Sequence, residues 1–126
     1  MAQKLFWSFG GNSSGGAGID SGGVVEVDAV TIAEVQLVKN MNADRELALQ
    51  IGDVGKLAIL VLTSSVNDGS VEVQADTATR TKLTGPIILF GAAIKLFAGS
   101  LDKISLKNLS TTNVADIRIL MGSKLS

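Results

Sequence analysis

Carboxylates, lysine amines and hydroxyls are the only side chains of this chain that could serve as acid, base or nucleophile. Its 126 residues include no His, Cys or Tyr, so the usual imidazole bases, thiolate nucleophiles and Cys or His metal ligands are missing. Two carboxylate pairs, Glu26 with Asp28 and Asp44 with Glu46, have a spacing that places both members on one face of a strand. A glycosidase uses such a pair across a cleft, but alternating charge is also the ordinary pattern of a solvated strand. We therefore predict no enzymatic activity, no catalytic residue, no cofactor and no metal.

Two short motifs lie in a glycine-rich segment near the start of the chain. Residues 15–20 match the beginning of a calcium-binding nonapeptide, but one copy cannot complete a site that needs ligands from successive repeats. Asp20-Ser21-Gly22 has the D-[ST]-G form of aspartic proteases. That chemistry needs the Asp on a tight turn after a buried apolar strand, and here glycines precede it. Neither motif predicts a site.

Composition limits the classes of partner. A chain of 13.0 kDa has room for one domain, with a folded surface of roughly 6,300 Å². Eleven basic and twelve acidic residues give a net charge of −1, without the basic excess of a nucleic-acid-binding protein. The longest apolar runs, residues 57–62 and 86–90, are far shorter than the roughly 20 residues that span a bilayer. We expect neither a nucleic-acid nor a membrane partner.

Apolar residues recur at every second position from Val24 onward, which is the period of a strand with one buried face. Residues 57–62 are apolar throughout and predict a central strand covered on both faces. For residues 29–41 a helix is the alternative, because part of the apolar pattern fits helical spacing, but dense β-branched residues favour a strand. A change of phase near residues 29–33 predicts a bulge or a strand break.

Turn-forming residues separate the predicted strands. Residues 64–69 and 108–113 are rich in Ser, Asn, Asp and Thr and predict hairpin turns. The polar segment 77–84 predicts an edge strand or a long loop, and residues 94–97 predict a further strand. The complete pattern gives eight to ten short strands. It indicates an all-β fold, an antiparallel β-sandwich or barrel.

The first 23 residues differ from the remainder. They hold three of the five aromatic side chains, Phe6, Trp7 and Phe9, together with half of the 14 glycines. Residues 10–23 contain little that could pack and predict a loop or flexible tether. The aromatic segment could fold back as an edge strand of its own domain or reach a neighbouring subunit as an arm. We divide the chain into an arm and tether (residues 1–23) and a β-sandwich (residues 24–126), with the three aromatics as partner-binding candidates.

The C-terminal third resembles small virion structural proteins of tailed bacteriophages, of the capsid decoration or cement type. The resemblance lies in the run PIILFGAAIKLFAGSLDKISLKNLSTTNVADIRILMG. The matching positions are Leu101, Asp102, Ile104, Leu106 and Asn108, followed by Ile117, Ile119 and Gly122. The resemblance implies an antiparallel β-sandwich of jelly-roll type. It also implies a protein that binds the major capsid protein on the virion surface as a homo-oligomer, with a trimer favoured, and that is present in the host cytoplasm during assembly.

The alternative function is a carbohydrate- or receptor-binding module, such as a component of a tail fibre or head fibre. Carbohydrate platforms usually present exposed Trp or Tyr rings for stacking. Trp7 is the only such residue in the chain, so this alternative depends on its exposure.

Overall fold

Alternating apolar residues form strands over most of the chain. The computed structural model describes residues 3–49, 54–76, 78–97 and 102–124. The strands are β1 (Gln3–Asn12), β2 (Gly18–Val27), β3 (Ala29–Leu37), β4 (Arg45–Ala48), β5 (Leu57–Ser64), β6 (Val71–Ala75), β7 (Thr81–Lys82), β8 (Ile87–Phe90), β9 (Lys103–Asn108) and β10 (Ala115–Ser123). Two short 3₁₀ helices span Val54–Lys56 and Gly91–Leu96.

Eight of these strands form two four-stranded sheets in the orders β3-β10-β5-β8 and β4-β9-β6-β7, while β1 and β2 form a separate two-stranded sheet. Every pairing is antiparallel. The two larger sheets share one hydrophobic core, because apolar side chains from both belong to a single buried cluster. The all-β, antiparallel sandwich expected from the sequence is therefore confirmed.

Aliphatic side chains fill the space between the sheets. The buried members from the strands are Leu37, Leu57, Leu60, Leu62, Val71, Val73, Ala75, Ile104, Leu106, Ala115, Ile117, Ile119 and Met121. Phe97 packs against the edge of this cluster. The alternation of buried and accessible residues along β6 and β10 follows the two-residue period of a strand.

Two predictions about individual strands are confirmed, and the position of a predicted break is wrong. The segment 29–41 forms a strand over Ala29–Leu37 and not a helix. The bulge or break expected near residues 29–33 is not found there, because β3 keeps one register from Ala29 to Leu37, and the break lies at residue 28, between β2 and β3. The wholly apolar run 57–62 belongs to β5, which lies inside its sheet between β10 and β8. The polar segment 77–84 contributes only the two-residue edge strand β7 among its described residues.

The prediction of a strand over residues 94–97 is wrong, because this segment belongs to the 3₁₀ helix Gly91–Leu96 and its C-cap Phe97. Ile94 is fully buried and Phe97 is half-buried. Residues three apart lie on the same side of a 3₁₀ turn, so the same two apolar side chains reach the core without a strand.

The prediction of hairpins at residues 64–69 and 108–113 is also wrong, although both segments are turns. β5 and β6 belong to different sheets, and so do β9 and β10. Each connection therefore carries the chain from one sheet to the other. Turn residues determine where a strand ends, whereas the partner of the next strand depends on packing across the core.

Asn108 holds the second of these connections together from a fully buried position at the end of β9. Its side-chain amide donates to the carbonyl oxygen of Asn113 at 2.8 Å and to that of Leu37 at 3.4 Å. Its side-chain oxygen accepts the backbone N–H of Ser110 at 3.0 Å. One side chain thus joins the connection to the end of β3, because it satisfies buried backbone groups that water cannot reach.

We expect Asn108→Ala to lower the free energy of unfolding by about 2–4 kcal/mol, because it leaves buried carbonyl and N–H groups without partners. Urea unfolding followed by circular dichroism measures the change. Asn42→Ala is the control, since Asn42 is exposed and its replacement is expected to change stability by less than about 0.5 kcal/mol. Equal stability of the two variants would contradict this role of Asn108.

Candidate functional site

The N-terminal segment forms a long β-hairpin, called the hairpin below, from β1 and β2. Ten residue pairs align between Gln3↔Val27 and Asn12↔Gly18. The prediction of a loop or tether over residues 10–23 is therefore wrong outside the turn at residues 13–17. Strand β2 also runs through the division that was placed between residues 23 and 24.

The turn of the hairpin is built by Ser13, Gly16 and Ala17. The Ser13 N–H donates to the carbonyl oxygen of Ala17 at 2.6 Å, and the Ser13 hydroxyl accepts the Ala17 N–H at 3.1 Å. Gly16 has φ of +94°, a conformation that favours glycine. These contacts reverse the chain and bring the two glycine-rich strands into register.

The base of the hairpin packs on the outer face of the sheet β3-β10-β5-β8, at Gly122 of β10. A Cβ atom at position 122 would lie 2.8 Å from methyl carbons of both Ile59 and Val27, and 3.0 Å from a methyl carbon of Leu5. Val27 and Ile59 are buried but do not belong to the central core cluster. Glycine at 122 therefore permits a small second cluster that attaches the hairpin to the sandwich.

Trp7 provides a second attachment. Its ring centroid lies 4.8 Å from that of Phe90 on β8, with the planes tilted by 44°, a distance typical of favourable aromatic pairs. Trp7 also covers Gly23, where a Cβ would approach the indole nitrogen to 3.1 Å. Because Trp7 is half-buried against its own chain, it is a poor platform for sugar stacking.

The other two aromatic candidates remain accessible, and they point in opposite directions. Phe9 is 52 % exposed and lies on the same face of the hairpin as Trp7, two residues away. Phe6 is 78 % exposed and lies on the opposite face, paired across the strands with the exposed Val24. The predicted set of three therefore divides into one attachment residue, Trp7, and two side chains available to partners.

An apolar cleft of about 810 Å³, called the cleft below, separates β1 from the outer face of the sheet. Residues 6–9 form one wall, and Ile59, Val61, Ile88 and Phe90 form much of the other. No lining residue carries a charge. A cleft of this size and polarity is suited to an apolar occupant.

Polar residues occupy the other half of the outer face of the same sheet. Arg118 and Glu34 are paired across β10 and β3 and form an ion pair at 2.8 Å. Gln36 donates to the carboxylate of Asp116 at 3.1 Å. Apolar character is thus confined to the half of this face that lies beside the hairpin, where Ile32 and Ile88 are exposed.

The outer face of the sheet β4-β9-β6-β7 carries ion pairs and is called the charged face. Arg80 contacts Asp44 at 2.6 Å and Glu72 at 3.7 Å, and Lys103 contacts Glu46 at 3.4 Å. The hydrogen bond from Arg80 lowers the pKa of Asp44 below its ordinary value. Asp44 and Glu46, considered above as an acid–base pair, each contact a cation instead.

The sequence motifs gain no support as sites from the geometry. Asp20 lies on β2 opposite Gly10, in a hairpin strand and not on a turn after a buried strand. Within the described ranges no group of three or more acidic side chains is arranged to hold a metal ion. In the same ranges, no helix has the length and apolar character needed to cross a membrane.

Comparisons with known proteins produced no match. No family model matches the chain, and neither a curated protein nor a solved structure does so. The function must therefore be inferred from the surfaces themselves.

We expect Gly122→Ala to lower the free energy of unfolding by about 1–3 kcal/mol, because the added methyl group overpacks the contact of Ile59 and Val27. Trp7 is the single tryptophan, so a red shift of its emission reports loss of the contact with Phe90. Gly85→Ala is the control, since a Cβ there meets no atom within 4 Å. Identical unfolding curves and emission for both variants would show that this close approach is unimportant.

Proposed function

We propose that this protein is a structural component of a virion, a capsid decoration protein that binds the capsid lattice and stabilises the head. The observation that carries this proposal is the unequal distribution of polarity. The part of the sheet face beside the hairpin holds an uncharged cleft, whereas the rest of that face and the opposite sheet carry ion pairs. Such a division suits a subunit that attaches by one side and faces solvent with the other.

The strand order supports a jelly roll. Counted from β3, the two sheets contain the first, eighth, third and sixth strands and the second, seventh, fourth and fifth strands. This interleaved order is expected when two Greek keys wrap into a double-sheet jelly roll, an architecture used by viral capsid and lectin domains. Fold alone does not determine function, so the order adds weight to the proposal without carrying it.

The side of the hairpin that bears Phe6 and Val24 is the surface we assign to the major capsid protein. Both side chains are more than half exposed and lie directly opposite each other on β1 and β2. A cross-strand pair of this kind gives a compact apolar anchor, and aromatic anchors contribute most of the energy at many interfaces. The charged face is then directed toward solvent.

A repeated lattice makes weak individual contacts sufficient. Several copies joined in one homo-oligomer, which we expect to be a trimer, bind several lattice sites together, and their combined affinity exceeds that of each contact. A trimer suits binding at a local threefold axis of a capsid. The small net charge of −1 agrees with a contact that depends on apolar surface.

We expect the purified protein to co-sediment with heads of the tailed phage that encodes it, when these are prepared without the protein. Phe6→Ser should weaken binding at least tenfold, because loss of an interfacial aromatic costs more than about 1.4 kcal/mol. Phe6 is largely solvated, so its replacement should leave the unfolding curve unchanged.

Lys82→Asp, on the opposite sheet, is the matched control and should bind heads as the unmodified chain does. Failure of the unmodified protein to bind heads would refute the proposal. A positive glycan screen combined with no head binding would favour the carbohydrate-binding alternative. Loss of binding by Lys82→Asp but not by Phe6→Ser would show that the charged face is the attachment surface.

A further inference from the structure

The chain exposes more surface than its mass requires. Its accessible area is 7407 Å², whereas a compact monomer of 13.0 kDa is expected to expose roughly 6,300 Å². The difference of about 1,100 Å² resembles the roughly 800 Å² that each partner contributes to a standard protein interface. The hairpin is the main projecting element, since every residue from 8 to 22 is exposed.

A two-stranded hairpin without further support is only marginally stable in water. The attachments at Gly122 and Trp7 hold its base, but residues 8–22, called the distal half, extend beyond them. Each residue of a strand adds about 3.3 Å, so β1 with its 10 residues is about 33 Å long. The distal half therefore has the length and the exposed area to contact another molecule.

The two faces of the distal half differ in polarity. Phe9 and Ile19 lie on one face on either side of Gly11, where a Cβ would be within 3.9 Å of both side chains. They are 52 % and 60 % exposed. Asp20 is the only charged residue of the distal half, and its carboxylate lies toward Gly10 on the other face.

The cleft has the properties needed to receive this face. Its lining carries no charge, so it would exclude a charged occupant and accept Phe9 and Ile19. Residues 6–9 of β1 form one wall of the cleft, and within the described residues β1 pairs with β2 alone, so its second edge is unpaired. Unpaired backbone groups on this edge can bind a further strand. An apolar, strand-like occupant satisfies both features.

We propose that the occupant is the distal half of the hairpin of a second copy of this chain, with Phe9 and Ile19 of that copy packed against Ile88 and Val61. The distal half is narrow enough to enter, because 6 of its 15 residues are glycines and most of the others are Ser or Asn. Phe9 also lines the cleft of its own chain, but the wall formed by Ile88 and Val61 is a different surface from the distal half. Successive copies therefore close into a ring when the rotation between them permits. This inference does not depend on binding to a capsid.

Cross-linking between two variants tests the contact directly, because the chain has no native cysteine. A Phe9→Cys copy and an Ile88→Cys copy, carrying tags of different mass, are mixed and oxidised. We expect a mixed disulfide to form at least tenfold faster than between Phe9→Cys and Thr111→Cys, in which the second cysteine lies in the exposed connection after β9.

Solution mass provides the second measurement. We expect the unmodified chain to be a closed oligomer and the double variant Phe9→Ser, Ile19→Ser to dissociate at least tenfold more readily. Leu96→Ser is the matched control, because Leu96 is 87 % exposed and lies outside the cleft, and it should assemble normally. Circular dichroism confirms that each variant remains folded.

A chain that is monomeric at about 100 µM, where even micromolar contacts are saturated, would overturn the proposal. So would a double variant that assembles as the unmodified chain does, or equal cross-linking rates in the two mixtures. A monomer that still binds phage heads would refute the contact between the hairpin of one copy and the cleft of another, and it would leave the proposed function intact. An oligomer that is held by the hairpins but does not bind heads would support the contact between copies and refute the proposed function.

Discussion

The close approach of the hairpin to Gly122 determines where the apolar surfaces of the molecule lie. Val27 and Ile59 meet at a position where any larger residue would separate them. This contact holds the hairpin against the sheet face instead of beside its edge. As a consequence β1 forms one wall of the cleft, Trp7 reaches Phe90, and the far part of the hairpin extends from the sandwich. Each of these surfaces depends on the absence of a side chain at position 122.

The two sheets use charge in different ways, although both bury similar aliphatic residues. On the charged face Lys103 of β9 pairs with Glu46 of β4, and Arg80 pairs with Asp44 and Glu72. Exposed pairs of this kind contribute little stability but keep the surface solvated. Beside the hairpin the corresponding positions carry Ile32, Val61 and Ile88. Such residues would be costly on a surface that always faced water. This part of the first sheet is therefore less polar than the charged face.

Sequence patterns predicted strands best where burial alternates and worst where glycine replaces side chains. The runs in β5 and β10 are apolar enough to require a sheet, and their positions were predictable. Residues 18–23 offered no such signal, because Gly22 and Gly23 have no side chain to alternate. Their strand exists through pairing with β1 and the covering Trp7 ring. The division of Phe6, Trp7 and Phe9 between two faces likewise depends on a register that composition does not reveal.

The position of β10 constrains how the protein can be made. This strand comes after all the others in the chain, yet it lies inside its sheet and joins β3 to β5. While a ribosome is still synthesising residues 115–123, β3 has no partner in this sheet and β5 can pair only with β8, so one edge of each remains uncovered. Pairing across so many residues is slow, and exposed strand edges favour aggregation. Both strands of the hairpin lie within residues 3–27, but Phe90 and Gly122, which hold its base, are made later, so the hairpin stays marginally stable until the sandwich forms.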